Sequence, residues 1–332
     1  MRAAAARLAP HVVRTPLLEA PLLNALVQER LGVPGVRVLV KAECLQHTGA
    51  FKFRGAMNRL LHSDMDETAR KRGVVAFSSG NFAQALAYAS SLTGTRCTIV
   101  SPHDAPPLKL SRTRAYGADV LLSTPAPGEN REIAAAEMAR RFSEEHGAKL
   151  LHPFDDWPVI HGQGSLAVEL FEQATAPVTS LIVPSGGGGM LAGCSLAAEL
   201  LSPATKLIAV EPQGYDDHCM SLEAGERRSL QGKPATTVCD ALQAAAPGVL
   251  TWQVNGSRLT SAVAMSDDEA IESMGIAFTE LKLALEPSGA LGLAALLSGR
   301  VAVDKDDVVA VVACGGNVAL EDYTRLLSEH QS

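Results

Sequence analysis

The chain has 332 residues, of which 47% are hydrophobic and 20% charged, with a formal net charge of −7 and a pI near 5.7. This length is ample for two domains, and the acidic balance argues against a nucleic-acid or anionic-membrane partner, since each would need a basic surface. Six scattered cysteines without a C-x-x-C pair, no secretory signal and no uninterrupted apolar span predict a soluble protein of the reducing cytoplasm.

Strand-like apolar runs alternate with helix-like patterns, after a short helix in MRAAAARLAP. The strand VRVLVKAE precedes a helix that we expect to begin at about Gly55. Further strand–helix pairs follow in chain order: GVVAFSSGN with FAQALAYASSL, TRCTIVSP with PPLKLSRTRAYG, ADVLLST with REIAAAEMARRFSEEHG, and SLIVPSGGGG with MLAGCSLAAELL. The strand KLIAVEP, a helix opened by Ser266 and Glu269 at capping-box spacing, and the buried strand DDVVAVVACGGN complete the order.

This alternation predicts βαβ units and a mainly parallel sheet, which is an α/β fold. About three such units lie between Gly73 and Gly147, flanked by segments with a different rhythm. We therefore expect a small inserted α/β domain at 73–147, within a larger domain formed by 1–72 and 148–332.

Three predicted strands end in polar, glycine-rich turns: SSGN (Ser78 to Asn81), SGGGG (Ser185 to Gly189) and CGGN (Cys314 to Asn317). In doubly wound sheets, ligands bind beyond the carboxyl ends of the strands. A tight turn explains one or two glycines, but here four open a helix: Gly186, Gly187, Gly188 and Gly189. Because a helix N-terminus with bare N–H groups binds anions, the sequence predicts a phosphate site there.

The same loop supports a second interpretation. Gly187, Gly189 and Ala192 match the G-x-G-x-x-A dinucleotide fingerprint, and Glu211 ends the next strand, where a ribose-binding acid belongs. An NAD(P)-dependent or flavin-dependent dehydrogenase is therefore an alternative, although it gives no role to Lys52, SSGN or CGGN. A non-catalytic protein that binds a phosphate ligand is another.

The segment TGAFKFRGAMNRL places Lys52 between Phe51 and Phe53. A lysine that snorkels to the surface is the ordinary interpretation, but desolvation between two rings would lower the pKa of the amine and make it a nucleophile. Pyridoxal phosphate needs such an amine, a phosphate cup, a partner for its ring oxygen and a neighbour for its ring nitrogen. Lys52, the four glycines, Asn81 and Cys314 supply these in that order.

The chain also resembles a known family through RTPLL, KAECLQHTGAFKFRGA, SSGNFAQALAYA, HGQGSLAVEL, PSGGGGMLAG, EPSGA and CGGNV. These motifs, in this order over nearly the whole chain, resemble those of the fold-type II pyridoxal phosphate enzymes. The resemblance is closest to the serine/threonine dehydratase and serine racemase branch, which includes 3-hydroxyaspartate dehydratase. It implies a tryptophan synthase β-like, two-domain fold with parallel, helix-covered sheets, and a homodimer.

The resemblance also implies the site residues. Lys52 would be the Schiff-base lysine, and the other cofactor-binding residues would be Phe51, Asn81, Gly186, Gly187, Gly188, Gly189, Met190, Glu286 and Cys314. The substrate side would be formed by Ser78, Ser79, Phe82 and Arg131. Ser79 would be an acid/base on the face opposite Lys52.

Three of these positions affect substrate and chemistry. Phe82 stands where the family often has His, which removes a polar group near the substrate carboxylate. Arg131 matches an arginine of the racemase-like branch that would reach a second substrate carboxylate, or it is a solvated residue of a helix start. Cys314 replaces a common Ser, and its weakly donating thiol would leave the ring nitrogen unprotonated, which suits β-elimination.

A metal site is implied in EPQGYDD. Glu211, the Tyr215 carbonyl and Asp217 match the divalent-cation site of the serine racemase-like branch. Two carboxylates and a carbonyl suit Mg²⁺ or Ca²⁺, with Mn²⁺ as a further candidate. The alternative is an acidic helix start in which Asp216 and Asp217 favour the helix dipole.

The sequence therefore predicts a pyridoxal phosphate-dependent dehydratase that eliminates the β-hydroxyl of serine, threonine or 3-hydroxyaspartate. The products would be a 2-oxo acid and ammonia. An amino-acid racemase and a β-replacement enzyme remain alternatives within the same cofactor class.

Overall fold

The computed structural model describes residues 1–126, 131–230 and 235–330. Its strands, in chain order, are β1 (Leu17–Leu18), β2 (Arg37–Lys41), β3 (Val74–Phe77), β4 (Cys97–Pro102), β5 (Asp119–Ser123), β6 (Lys149–Leu151), β7 (Ser180–Pro184), β8 (Lys206–Pro212), β9 (Ser261–Met265) and β10 (Val308–Val312).

The α-helices are α1 (Arg2–Leu8), α2 (Pro21–Leu31), α3 (Lys52–Leu60), α4 (Glu67–Arg72), α5 (Asn81–Thr93), α6 (Pro107–Ala115), α7 (Arg131–His146), α8 (Trp157–Gln163), α9 (Ser165–Gln173), α10 (Gly189–Leu201), α11 (Asp217–Ala224), α12 (Val249–Asn255), α13 (Asp267–Ile276), α14 (Pro287–Leu297) and α15 (Leu320–His330). Short 3-10 turns lie at Glu43–Leu45, His47–Gly49 and Asp240–Leu242, and a π-helical turn at Ala277–Leu281. In the described part of the chain, no helix combines the length and apolar character needed to cross a bilayer.

The strands form two sheets. The large sheet has the order β1-β2-β10-β7-β8-β9 and the small sheet the order β5-β4-β3-β6. All neighbouring strands run parallel, except that β1 pairs antiparallel with β2. The predicted α/β fold with parallel, helix-covered sheets is confirmed.

The central strand β10 shows why the large sheet is covered on both faces. All five of its residues are buried, and successive side chains point to opposite faces. Val309 and Val311 pack into the core that contains the α13 and α14 side chains, whereas Val308, Ala310 and Val312 pack with α9 and α10. Two apolar faces on one strand require a layer of helices on each side.

The unit around the small sheet extends beyond the predicted boundaries of 73–147. Strand β6 lies past residue 147 and pairs with β3, with Val74 opposite Lys149. It satisfies the backbone hydrogen-bonding groups on the edge of β3 that does not face β4. Helix α3 precedes residue 73, yet its Phe53 and Met57 share a core with residues of the small sheet. Segments from both flanks therefore complete this unit.

Helix α3 begins at Lys52, three residues before the expected start, because the chain turns at Thr48 (φ 60°) and Gly49 (φ 73°). A buried ion cluster fixes the helix. Arg54 donates to Glu43 at 2.8 and 2.9 Å and to Glu169 at 2.7 and 2.8 Å, and its side chain is fully buried. Lys52 therefore stands on a helix whose position is set by charge pairs as well as by apolar packing.

The predicted capping box of α13 is confirmed. Ser266 Oγ accepts from the Glu269 N–H, and the Glu269 carboxylate accepts from the Ser266 N–H.

Candidate active site

A cavity of about 330 Å³ lies at the carboxyl ends of β3, β7 and β10, where the glycine-rich turns of the two sheets meet. Thirteen of the predicted site residues line it: Phe51, Lys52, Ser78, Ser79, Asn81, Phe82, Gly186, Gly187, Gly188, Gly189, Met190, Glu286 and Cys314. Turns that are distant in sequence meet here because parallel strands present their carboxyl ends on one edge.

The amine of Lys52 lies in this cavity, and the residue is half-buried. Its Nζ donates to the carbonyl of Pro153 at 3.3 Å and lies 5.1 Å from the centre of the Phe51 ring and 6.0 Å from that of Phe82. Phe53 instead packs against His47 and Tyr88, so the second desolvating ring is Phe82 and not Phe53. Burial lowers the pKa of the Lys52 amine from 10.5 to about 8, which favours the neutral nucleophile.

The glycine loop between β7 and α10 offers N–H groups to the cavity. Thr251 Oγ1 donates to the Gly187 carbonyl at 2.7 Å and Asn255 Nδ2 to the Gly188 carbonyl at 3.3 Å, so partners outside the cavity hold both carbonyls. Within the described residues, the N–H groups of Gly186 to Gly189 donate no hydrogen bond. Four free donors at a helix N-terminus form a site for a phosphate dianion.

Side chains are excluded from this loop. A Cβ on Gly187 would collide with the Phe154 ring, and Gly188 has φ +88°, where a Cβ would also crowd His218. The run of glycines is therefore required by close packing behind the loop and by one left-handed residue.

Asn81 and Glu286 form the next part of the wall. Asn81 Nδ2 donates to Glu286 Oε1 at 2.5 Å, and Asn81 Oδ1 accepts from Asn317 Nδ2 at 2.9 Å. Burial and the nearby Asp240 raise the pKa of Glu286, whereas Lys109, whose Nζ lies 3.3 Å from Glu286 Oε2, opposes this shift. An ionised carboxylate accepts hydrogen bonds and donates none, so the Asn81 amide is fixed with its nitrogen towards Glu286.

Cys314 lies two residues after the end of β10 and is buried. Its thiol donates to the Ser288 carbonyl at 3.6 Å, and burial together with Glu286 raises the pKa of the thiol well above its usual value. A thiol that stays neutral cannot supply the negative charge that would hold a proton on a neighbouring pyridine nitrogen.

The predicted substrate side is only partly assembled. Ser78, Ser79 and Phe82 line the cavity, but Arg131 is not among the lining residues. Its Nη1 donates to Asp104 Oδ2 at 2.8 Å, and both side chains are partly exposed. The rest of this wall is apolar and includes Phe77, Ile133 and Phe154.

Two of the predicted metal ligands, Glu211 and Asp217, lie behind the glycine loop with His218, which was not predicted, and the third, Tyr215, is also buried. Glu211, Asp217 and His218 are fully buried, and their ligand atoms lie within 4.8 Å of one another. Glu211 Oε1 contacts His218 Nδ1 at 2.9 Å, and Asp217 Oδ1 lies 3.0 Å from the same nitrogen. Burial and the nearby Glu211 raise the pKa of Asp217. Burial alone would lower the pKa of His218, but its bonds to the two carboxylates raise that pKa. Two buried carboxylates need a positive partner, which a protonated His218 supplies here and which a divalent cation would also supply. Asp217 has no well-aligned donor among the described residues.

The position of Glu211 also bears on the dehydrogenase alternative. Its carboxylate already accepts hydrogen bonds from the N–H groups of His218 (2.9 Å) and Cys219 (3.0 Å), and it is fully buried. A ribose hydroxyl would have to displace these partners, so Glu211 does not suit the role of a ribose-binding acid.

The residues that line the cavity fit pyridoxal phosphate. A desolvated amine, a glycine cradle in which a Cβ on Gly187, Gly188 or Gly189 would strike a neighbouring residue, an oriented amide and a neutral thiol lie around one cavity. Sequence reasoning missed His218, Lys109, Asp240 and Phe154, and it left Asn317 unused although the CGGN turn contains it. Buried partners such as Lys109 give no local signal, because their role arises only when the two sheets meet.

Comparison with known proteins agrees with this geometry. The profile of the family described as pyridoxal-phosphate dependent enzyme matches residues 8–315. An L-threo-3-hydroxyaspartate ammonia-lyase of Pseudomonas sp is 40% identical over 324 residues, which cover 98% of this chain and 96% of that protein. A serine racemase of Oryza sativa subsp. indica is 38% identical over 325 residues, covering 96% and 90%. The crystal structure of the T.th. threonine deaminase has a TM-score of 0.85 and 39% identity, covering 96% of this chain and 97% of that one.

Proposed function

The chain belongs to the family of pyridoxal-phosphate dependent enzymes, and on that basis we propose that it is a dehydratase acting on a small β-hydroxy amino acid. It would remove the β-hydroxyl as water and release a 2-oxo acid and ammonia. Serine, threonine and 3-hydroxyaspartate are the candidate substrates, in line with the names of its relatives. The observation that carries the proposal is the desolvated Lys52 amine in a cavity that ends at the free N–H groups of the glycine loop.

Pyridoxal phosphate held on Lys52 supplies an electron sink that makes the Cα proton of a bound amino acid acidic. The N–H groups of Gly186 to Gly189 would hold its phosphate, and the Asn81 amide would hold its ring oxygen. Lys52 Nζ, once the amine of the substrate has displaced it, would accept the Cα proton on one side, and burial, which lowers the pKa of the free amine to about 8, favours the neutral form that this requires. The neutral Cys314 thiol leaves the ring nitrogen without a strong acid partner, so loss of a leaving group is favoured over long-lived carbanion chemistry.

Covalent trapping tests the cofactor and its lysine together. We expect the reconstituted protein to show a visible absorption band that borohydride removes, with the added mass on Lys52. The variant Lys52→Ala should show neither, whereas Lys71→Ala, on the exposed end of α4, should behave as the wild type. A band that persists in Lys52→Ala would refute the assignment of this lysine.

Product release then identifies the substrate. We would measure 2-oxo acid and ammonia with L-serine, D-serine, L-threonine and the isomers of 3-hydroxyaspartate. Release of both products in equal amounts supports the dehydratase. No release from any of them would overturn the proposed reaction and leave β-replacement or racemisation.

Racemisation is the second candidate, because Ser79 lines the cavity together with Lys52 and one relative is named a serine racemase. Two proton carriers on opposite faces of Cα are what racemisation requires. If Ser79 is the second carrier, Ser79→Ala should abolish the appearance of the opposite serine enantiomer on chiral chromatography. The same Ser79→Ala variant should still release the 2-oxo acid, because that reaction needs only Lys52 as proton acceptor.

We also propose a divalent cation, Mg²⁺, Ca²⁺ or Mn²⁺, held by Glu211, Asp217 and the Tyr215 carbonyl in a structural or activating role. The proposal is supported by the buried Asp217 oxygens that lack a well-aligned donor, next to the fully buried Glu211. Thermal unfolding after chelation and on readdition of each metal tests it. Asp217→Asn should remove any metal-dependent shift in the midpoint, while the exposed Asp268→Asn should retain it. No shift for any of the three metals would refute the site.

Two further proposals concern the setting of the enzyme. A reducing cytoplasm is supported by the six cysteines, all of which are free thiols in the structure. A homodimer is supported by the family resemblance, and sedimentation equilibrium of the cofactor-loaded protein measures it directly.

A further inference from the structure

Helix α6 packs beside the small sheet, and its Lys109 and Arg112 contact residues that are distant in sequence. Asp240 and Glu286 belong to the cavity wall, and Asn317 lies in the turn that follows β10. Lys109 Nζ lies 2.8 and 3.0 Å from the two carboxylate oxygens of Asp240 and 3.3 Å from Glu286 Oε2. Arg112, one turn along the helix, donates from Nη1 to Asn317 Oδ1 at 2.9 Å. Residues three apart lie on the same helix face, so one face of α6 holds both partners.

These contacts continue to Asn81. Glu286 accepts from the Asn81 nitrogen at 2.5 Å, and Asn317 donates to the Asn81 oxygen at 2.9 Å. The nitrogen and the oxygen of the Asn81 amide therefore both contact residues, Glu286 and Asn317, that are themselves bonded to side chains of α6. Because an amide nitrogen carries two N–H donors, the contact with Glu286 uses one and leaves the other for a ligand in the cavity.

Lys109 also balances the negative charge of Asp240 and Glu286 in the cavity wall. It is almost fully buried, and its two carboxylate partners keep it protonated, raising its pKa although burial opposes this. Without the lysine, Glu286 and Asp240 would be neighbouring carboxylates in a poorly solvated site, and one of them would take up a proton. Among the described residues, the other groups that interact with Glu286 are the Asn81 amide and the thiols of Cys44, Cys239 and Cys314, none of which carries a positive charge.

We propose that Lys109 is a positioning residue that reaches from α6 to Glu286 and thereby sets the orientation in which Asn81 meets pyridoxal phosphate. The proposal rests on the proposed function only in taking Asn81 as a contact of the cofactor. Lys109 itself lies behind the wall and is not among the residues that line the cavity.

A double-mutant cycle with Lys109→Met and Glu286→Gln tests this coupling. The readouts are the dissociation constant of pyridoxal phosphate and the visible spectrum of the loaded protein as a function of pH. We expect Lys109→Met to weaken cofactor binding roughly tenfold, which corresponds to about 1.4 kcal/mol, and to shift the pH dependence of the band. In the Glu286→Gln background the same change should have almost no further effect, because the uncharged amide no longer needs the lysine.

Two control variants separate positioning from general stability. Lys109→Arg keeps the charge and should restore the wild-type spectrum, and Lys71→Met removes an exposed lysine of α4 and should change neither readout. A cycle in which the two effects add, or a Lys109→Met protein that is less stable but has the wild-type spectrum and affinity, would overturn the proposal. A wild-type protein that acquires no band with pyridoxal phosphate would instead refute the proposed function.

Discussion

Gly187 offers a direct test of whether the loop after β7 is the phosphate cradle. Its backbone does not lie in the left-handed region, so Gly187→Ala introduces no conformational strain and adds only a methyl group. That methyl would overlap three carbons of the Phe154 ring. The loop cannot retreat, because the Gly187 carbonyl accepts from Thr251 Oγ1 at 2.7 Å and from the Gly248 N–H at 3.1 Å.

The expected cost follows from this geometry. Adding a methyl group to a packed site costs about 1–3 kcal/mol, and here the strain falls on the loop that binds the phosphate. Such a cost corresponds to roughly 5-fold to 150-fold weaker binding of the cofactor. Titrating the cofactor-free protein with pyridoxal phosphate and following the visible band measures this change.

Removing the obstacle should reverse the effect. In a Phe154→Ala background, Gly187→Ala should weaken binding little, because the ring that it would strike is absent. Gly275→Ala is the matched control, since a methyl group there meets only an ordinary contact with Leu327 on α15, away from the cavity. The reasoning is refuted if Gly187→Ala binds the cofactor as the wild type does, or if its effect is the same with and without the Phe154 ring.

Three other predictions concern pH and stability. Because burial lowers the pKa of Lys52 to about 8, half of the amine is neutral at that pH and nearly all of it about one unit higher, so the rate of cofactor loading should level off near pH ~9. An ordinary lysine would give a rise that continues beyond its usual pKa of 10.5. Arg54→Met should lower the free energy of unfolding in urea by about 3–5 kcal/mol, because it leaves the buried Glu43 carboxylate without its guanidinium partner, whereas Glu169 keeps its ion pair with Lys41. The exposed Arg140→Met is the control, and an Arg54→Met protein with the same urea midpoint as Arg140→Met would contradict this. Ser266→Ala should cost about 1 kcal/mol in the same assay through loss of the capping box, and no change would refute that role.

The strand-end turns could be predicted because their physical cause is local. A glycine run after a buried strand has few explanations, and parallel strands bring their carboxyl ends to one edge whatever the detailed order. Asn81 and Gly186–Gly189 are predictable in this way, and the structure brings them around one cavity with Lys52, which its two flanking phenylalanines single out. The order of the strands within each sheet was not available in the same way, because it depends on which edges pair.

Other features escaped because they arise only from tertiary contacts. Phe82 desolvates Lys52 although 30 positions separate them, whereas the adjacent Phe53 turns towards His47. His218 carries no motif, yet β8 and α11 place it between two buried carboxylates. Strand β6 has only three residues and becomes recognisable through its pairing with β3. Sequence patterns identify elements well, but a partner across two elements is visible only in the fold.

Arg131 is the residue on which the choice among substrates turns. Its bond to Asp104 joins two side chains that are 34% and 48% exposed, and such surface pairs contribute only about 0–1 kcal/mol. A second carboxylate on a substrate would therefore displace Asp104 at little cost. If Arg131 binds that carboxylate, Asp104→Asn should lower the KM for 3-hydroxyaspartate by up to about fivefold and leave the KM for serine unchanged, while Arg131→Gln should raise only the former. Equal changes for both substrates would show that Arg131 does not read the second carboxylate, and would leave the apolar wall of Phe77, Phe82 and Phe154 to select the side chain.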